Sequence, residues 1–233
     1  MAGLSAGIVA EPIAIAIDAG TVPGVRTTPH QGRVALTFDD GPNPRWTPVV
    51  LDVLDAYGVK ATFFVNGFRV RAYPEVAAEI VRRGHSLQNH TYGHNRLPQL
   101  SDAGILRDIL RGEDSIREAA GVECTCLRPP WGLTSGRVRR IAGAAGESIV
   151  LWTIDSMDWN YQSAARTIDI VLGEVQAGDV ILMHDSVGWV ARDALPVIIR
   201  AVRAAGLEFE TLCEVHNAPL AADLAPPWLP GVG

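Results

Sequence analysis

The stretch that decides the fold is ALTFDDGPNPRW, Ala35 to Trp46. A β-rich apolar run comes first, two adjacent carboxylates follow at once, and Gly41-Pro42 interrupts the run. Thr47-Pro48 then opens a helix as cap and first-turn proline. A strand that passes into a helix with charges at the junction is one βα unit, and the same rhythm recurs along the chain. Strands are expected at Val34–Phe38, Ala61–Val65, His85–Asn89, Cys124–Arg128, Ser148–Trp152, Val180–His184 and Glu208–Leu212. Helix signals stand between them: Ser101-Asp102 opens a helix that Gly121 closes, and Gly84 and Gly206 stop helices immediately before strands.

Repeated β-then-α with short connections requires parallel strands joined by crossover helices. No G-x-G-x-x-G follows the first strand, which removes the usual mark of a dinucleotide-binding open sheet. The expected fold is therefore α/β, a distorted or incomplete (β/α) barrel of about seven parallel strands. Residues 1–29 lack the rhythm and read as an N-terminal arm, residues 30–215 as the β/α domain, and residues 216–233 as a Pro-rich C-terminal tail.

The 233-residue chain is 48% hydrophobic and 20% charged, the balance of a globular core rather than a disordered chain. Its formal net charge of -6 argues against a partner that is nucleic acid or an anionic membrane gripped through a basic surface. Arg137, Arg139 and Arg140, the densest basic cluster, read as the solvated face of a helix. Cys124, Cys126 and Cys213 provide no disulfide framework, and the first two are too close in an extended strand for an easy bridge, so all three read as core thiols. The start, MAGLSAGIVAEPIAIAIDAG, carries no Lys or Arg and is interrupted by Glu11 and Pro12. It reads as neither a signal peptide nor a transmembrane span, and the sequence assigns no compartment.

In parallel α/β barrels the βα loops gather the active site at the C-terminal ends of the strands. Five of the expected strand ends carry ionisable groups to that rim: Asp39-Asp40, NHTYGH, Arg128, DSMDW and His184-Asp185. In HTYGH, His90 and His94 are four apart, a spacing that puts two imidazoles on one face of a helical turn and lets both reach one ion. A carboxylate from another strand end completes a two-His, one-Asp metal site suited to zinc, with iron, cobalt and nickel also fitting the donors. Asp40 can be that ligand, the cation offsetting the repulsion between neighbouring carboxylates and leaving Asp39 free as a base beside activated water.

Five ordered motifs, TFDDGP (Thr37–Pro42), HTYGH (His90–His94), RPPWG (Arg128–Gly132), DSMDW (Asp155–Trp159) and ILMHD (Ile181–Asp185), resemble those of polysaccharide deacetylases. These are the NodB-homology enzymes of carbohydrate esterase family 4, and the resemblance spans roughly residues 30 to 215. It implies that Asp39 is the catalytic base, that Asp40, His90 and His94 bind the metal, and that Arg128 pairs with the catalytic carboxylate. It further implies that the Trp131 N–H faces the oxyanion and that Asp158 orients the catalytic His184. Leu182 and Trp159 would surround the acetyl methyl.

The implied activity is metal-dependent removal of N-acetyl groups from N-acetylglucosamine units of chitin oligomers or peptidoglycan. Rival readings are an O-acetyl xylan esterase, a deacetylase of a small-molecule or precursor amide, and a glycan-binding pseudoenzyme. The last would be expected to lack Asp39 or His184, and this chain has both. His30, His85 and His216 carry no motif and read as structural. Trp46, Tyr161 and Trp189 fall on rim loops, where aromatics either stack on sugars or pack the loops.

Overall fold

The computed structural model describes Val22 and residues 25–213. Most of the expected N-terminal arm, the whole of the expected tail and His216 lie outside the described residues. In chain order the elements are β1 (Arg33–Gly41), α1 (Thr47–Ala56), β2 (Thr62–Val65), α2 (Gly67–Ala72), α3 (Pro74–Arg82), β3 (Ser86–Asn89), α4 (Asp102–Ala120) and β4 (Cys126–Leu127). Then come α5 (Gly136–Ala144), β5 (Ser148–Ile149), β6 (Ile154–Asp155), α6 (Asp158–Tyr161), α7 (Ala164–Glu174), β7 (Val180–His184), α8 (Gly188–Ala204) and β8 (Glu208–Phe209).

Seven parallel strands run in the order β5-β4-β3-β2-β1-β7-β6, and short β8 pairs with the start of β1. β5 and β6 stand at opposite ends of that order, yet only Val150 to Thr153 link them. A link extending at most ~3.5 Å per residue cannot cross a flat seven-stranded sheet. The sheet is therefore curled into a half-barrel, the distorted (β/α) barrel expected from the sequence. The expected strand at Glu208–Leu212 shortens to β8, and β6 appears inside a stretch that reads as a loop.

β1 runs through the middle and is buried along nearly its whole length, as a strand covered on both faces must be. Its alternation sorts the two sides. Val34, Leu36 and Phe38 pack outward into the cluster that includes Leu51, Leu54, Ile198 and Ile199 of α1 and α8, with Phe38 stacked on Phe63 at 5.0 Å. Ala35 faces inward to Phe64, Val180 and Leu212, and Thr37 and Asp39 follow on the same side. The inner face of β1 thus climbs from apolar to polar toward the C-terminal rim.

Ser101 caps α4 by accepting from the Gly104 N–H, and Gly121 ends it at φ 69, both as expected. The start of α1 differs: Trp46 is the cap residue and offers no side-chain bond. The Thr47 hydroxyl instead accepts from the Asn43 N–H at 2.7 Å and donates to Asp185, tying the β1 loop to the end of β7. The cysteine reading is also corrected. Cys126 and Cys213 form a disulfide with Cα atoms 5.9 Å apart, while Cys124 remains a buried thiol. A sequence separation of 87 hid the pairing, which arises because the segment after β8 runs on from the foot of β1 to β4, where the Thr125 hydroxyl donates to the Cys213 carbonyl at 2.6 Å.

Helix α4 lies close against the loop that follows β3. A Cβ built on Gly112 would collide with Asn89 Oδ1 and stand 3.0 Å from the main-chain carbon of Thr91. Gly112→Ala is therefore expected to lower stability by about 1–3 kcal/mol through overpacking, read as a fall in Tm. An unchanged Tm would contradict this close approach.

Candidate active site

Adjacent residues of a regular strand point to opposite faces, so Asp39 and Asp40 need a local irregularity to reach one mouth. The register of β1 against β2 slips between Asp39 and Gly41, and Asp40 sits at φ 69 in the left-handed region. The break thus begins at Asp40 itself, one residue before the Gly41-Pro42 pair to which the sequence points. Gly41 is held close against Asp185, where any Cβ would meet the Asp185 carboxyl. Burial pushes that carboxyl up to about 7, the Thr47 hydroxyl opposing the shift.

Arg128, at the end of β4, is fully buried and crosses the barrel interior to Asp39, with Nη1 to Oδ1 at 2.7 Å. The same nitrogen donates to Thr37 Oγ1 at 2.8 Å, Nε donates to the Val150 carbonyl at 3.3 Å and Nη2 to the Leu151 carbonyl at 3.1 Å. Those two carbonyls lie on the link between β5 and β6, so the guanidinium also fills the gap where the half-barrel fails to close. It rests over the Phe64 ring at 4.1 Å. Burial lowers the guanidinium pKa and Asp39 opposes this, and arginine, the strongest side-chain base, stays charged.

His90 and His94 do come together, though not on a helical turn. HTYGH is an irregular loop in which Thr91 and His94 both have positive φ, at 64 and 53. Side chains and α4 fold it: the Thr91 N–H donates to Asn89 Oδ1, the Tyr92 N–H to the Asp108 carbonyl and the Gly93 N–H to Asp108 Oδ1. Behind it Asn89 Nδ2 donates to the fully buried Glu147 at 2.8 and 3.1 Å; burial drives that carboxyl far above its ordinary range, and Asn89 opposes the shift.

His90 Nδ1 lies 2.6 Å from the Arg128 carbonyl. A carbonyl only accepts, so Nδ1 carries the proton and Nε2 presents a lone pair. That lone pair faces Asp39 Oδ2 at 3.7 Å and Asp40 Oδ1 at 3.6 Å, while His94 Nε2 lies 3.2 Å from Asp40 Oδ1. Lone pairs turned on one another are the arrangement a cation resolves. Donor atoms of Asp40, His90 and His94 all lie within 4.8 Å of one another, a set that fits a divalent ion. Burial pushes His94 below its ordinary value despite Asp40, which favours the neutral, ligating form. Burial alone would raise Asp40, but His90, His94, His184 and the Asn66 amide hold it low.

Across the mouth, His184 Nδ1–H donates to Asp158 Oδ1 at 2.8 Å, and its main-chain N–H donates to Asp158 Oδ2 at 2.8 Å. Asp158 also accepts from the Trp159 N–H, so orienting His184 and starting α6 are one arrangement. Burial opposes charging His184, but the Asp158 bond and charge, then Asp39 and Asp40, outweigh it and push the imidazole up to about 9.

Asp39, Asp40, His90, His94, Trp131, Trp159, Leu182 and His184 line one cavity of about 270 Å³. Arg128 and Asp158 stand directly behind it. Every site residue taken from the sequence is therefore gathered at one end of the half-barrel. Trp152 and Asp155, the latter the first residue of DSMDW, line the cavity as well, and the sequence assigns neither a role of its own. Trp152 reads from sequence as a strand residue, although Gly132 in the RPPWG motif packs so closely that a Cβ there would come 2.9 Å from its ring. Asn66, which donates to Asp40 Oδ1 at 3.1 Å, escapes a sequence reading because it is the uncharged residue that follows β2. His85 is structural as expected, buried and accepting from the Ala61 N–H, and burial lowers its pKa to about 4.

The polysaccharide deacetylase family model matches residues 26–150. A peptidoglycan-N-acetylglucosamine deacetylase of Bacillus cereus is 36% identical over 186 residues, covering 78% of this chain and 68% of the relative. A chitooligosaccharide deacetylase of Sinorhizobium fredii is 38% identical over 166 residues, covering 69% of this chain and 77% of the relative. Peptidoglycan-N-acetylglucosamine deacetylase PgdA of Listeria monocytogenes is 33% identical over 199 residues, and the chain spans only 42% of its length. Among solved structures, a T48 deacetylase with substrate superposes with a TM-score of 0.74 at 35% identity, covering 78% of this chain and 88% of that one.

If the raised pKa of His184 comes from Asp158, Asp158→Asn removes the charge that sustains it. An acid is lost as pH rises through its pKa, so the alkaline limb of the turnover profile should move down by about one unit or more. A limb that stays in place would assign the acid to another group.

Proposed function

The chain belongs to the polysaccharide deacetylase family, and we propose that it is a divalent-metal hydrolase removing N-acetyl groups from N-acetylglucosamine-containing glycans, chitin oligomers or peptidoglycan. The observation that carries this reading is the placement of two differently supported acid–base groups on opposite sides of one cavity. Asp39 is paired with Arg128 and stands as a base; His184 is charged through Asp158 and stands as an acid. The catalytic unit on this reading is residues 30–215.

Asp40, His90 and His94 would hold the cation, with zinc best suited and cobalt, nickel or iron compatible with the donors. When bound, it supplies a Lewis acid for the amide carbonyl and makes water more acidic. Asp39 accepts a proton from the attacking water, and Arg128 keeps that carboxylate in place and compensated. The Trp131 main-chain N–H is assigned to the developing oxyanion. Trp159 and Leu182, with Trp152 beside them, wall the pocket around the acetyl methyl.

An amine leaves only if it is protonated. His184, positively charged near neutral pH, delivers that proton to the nitrogen as the carbon–nitrogen bond breaks. A dedicated acid of this kind favours amide over ester hydrolysis, because an alkoxide depends on it less. The presence of Asp39 and His184 together speaks against a binding-only role.

The test is acetate release from N-acetylglucosamine oligomers and from acetylated xylan, side by side, with protein supplied with zinc or cobalt. Release from the oligomers, abolished by chelation and restored by the ion, is expected. Full activity after exhaustive chelation, or release from xylan alone, would overturn the reading.

A further inference from the structure

Many arginines of this chain are neutralised by carboxylates, as Arg26 is by Glu210, Arg83 by Asp52 and Arg192 by Asp193. Several near the C-terminal ends of the strands are not, Arg45, Arg96 and Arg166 among them. Arg45 follows β1, Arg96 follows β3 and Arg166 lies in the first turn of α7, and among the described residues none has a carboxylate within ion-pair distance. Each lies instead over an aromatic ring: Arg45 over Trp46 at 4.5 Å, Arg96 over Trp131 at 5.1 Å and Arg166 over Tyr161 at 4.6 Å. All three arginines are exposed. A chain with a formal net charge of -6 therefore presents uncompensated positive charge on its catalytic face.

An aromatic face beneath a guanidinium steadies the cation without occupying its N–H edges. Those edges match a carboxylate in a bidentate pair. A stacked and unpaired arginine is thus a carboxylate receptor with its orientation already set, at little further entropic cost on binding. Arg96 is the best placed. The Trp131 ring beneath it lines the cavity and lies 4.3 Å from the ring of His94, so Arg96 stands one side chain away from the proposed metal site. Asp155, the acidic group that lines the cavity besides Asp39 and Asp40, is turned to the Met157 N–H at 2.9 Å.

We infer that the rim binds a glycan that itself carries carboxylates. Arg96 on Trp131 takes the carboxylate of the unit next to the sugar being deacetylated, and Arg45 and Arg166 extend the attraction along the strand. The protein then prefers an acidic N-acetylated glycan to a neutral one. This rests on the proposed deacetylase reading for the position of the reacting sugar.

The experiment measures dissociation constants for two oligosaccharides of equal length, N-acetylglucosamine alone and N-acetylglucosamine alternating with N-acetylmuramic acid. It uses the metal-loaded Asp39→Asn protein, so that bound glycan is not consumed, with and without Arg96→Gln. The acidic oligomer should bind about tenfold more tightly at roughly 50 mM salt, the advantage should shrink as salt rises, and Arg96→Gln should bring the ratio toward one. Equal constants in the parent protein, or a ratio that Arg96→Gln leaves unaltered, would overturn the inference. Binding is read without turnover, so failure of the wild-type protein to release acetate from either oligomer would count against the deacetylase reading, while the two constants still decide this one.

Discussion

The ion pair between Arg128 and Asp39 is the interaction on which the site and the barrel both depend, because one buried guanidinium serves several partners at once. Burying a charge in an apolar interior is costly unless its hydrogen bonds and its opposite charge are supplied. Here Asp39, Thr37 and the carbonyls of Val150 and Leu151 supply them. Those carbonyls belong to the link that joins the two ends of the curled sheet, so the incompleteness of the barrel is what makes room for the arginine. Removing the guanidinium would strand Asp39 as a buried unpaired charge, a loss on the order of 3–5 kcal/mol.

The main chain of the same residue governs the other half of the site. The Arg128 carbonyl accepts from His90 Nδ1 and so turns the lone pair of Nε2 toward Asp40. Side chain and carbonyl together thus divide two neighbouring carboxylates into different tasks. Asp39 is compensated from within the barrel, whereas Asp40, bent outward at its left-handed backbone, is compensated by imidazoles and the Asn66 amide. The opening puzzle of the sequence, two like charges side by side, has a physical answer. They are adjacent in the chain but have different principal partners, Arg128 for Asp39 and His94 with the Asn66 amide for Asp40, while His90 faces both.

Much of this was legible in the sequence because the periodicity of a βα barrel is local and its active end is fixed by topology. Strand ends at Asp39, Arg128 and His184 could be found from apolar runs alone, and the motifs then supplied roles. What could not be read depends on contacts distant in the chain. The Cys126–Cys213 bridge requires knowing that β8 returns to the foot of β1. The irregular loop that brings His90 and His94 together is folded by Asn89 and by Asp108 of α4, while the four-residue spacing suggested a helical turn for a different reason. Asp155 ends the two-residue strand β6 and Trp152 lies on the link before it, and so short a strand shows no alternation pattern.

The division of labour between the two carboxylates is tested most directly by measuring cation affinity and acetate turnover in Asp39→Asn and Asp40→Asn side by side. The account predicts that Asp39→Asn keeps cation affinity near the wild-type value while turnover falls by about 10²–10⁴-fold, and that Asp40→Asn loses the cation. Undiminished turnover in Asp39→Asn, or wild-type cation affinity in Asp40→Asn, would contradict it.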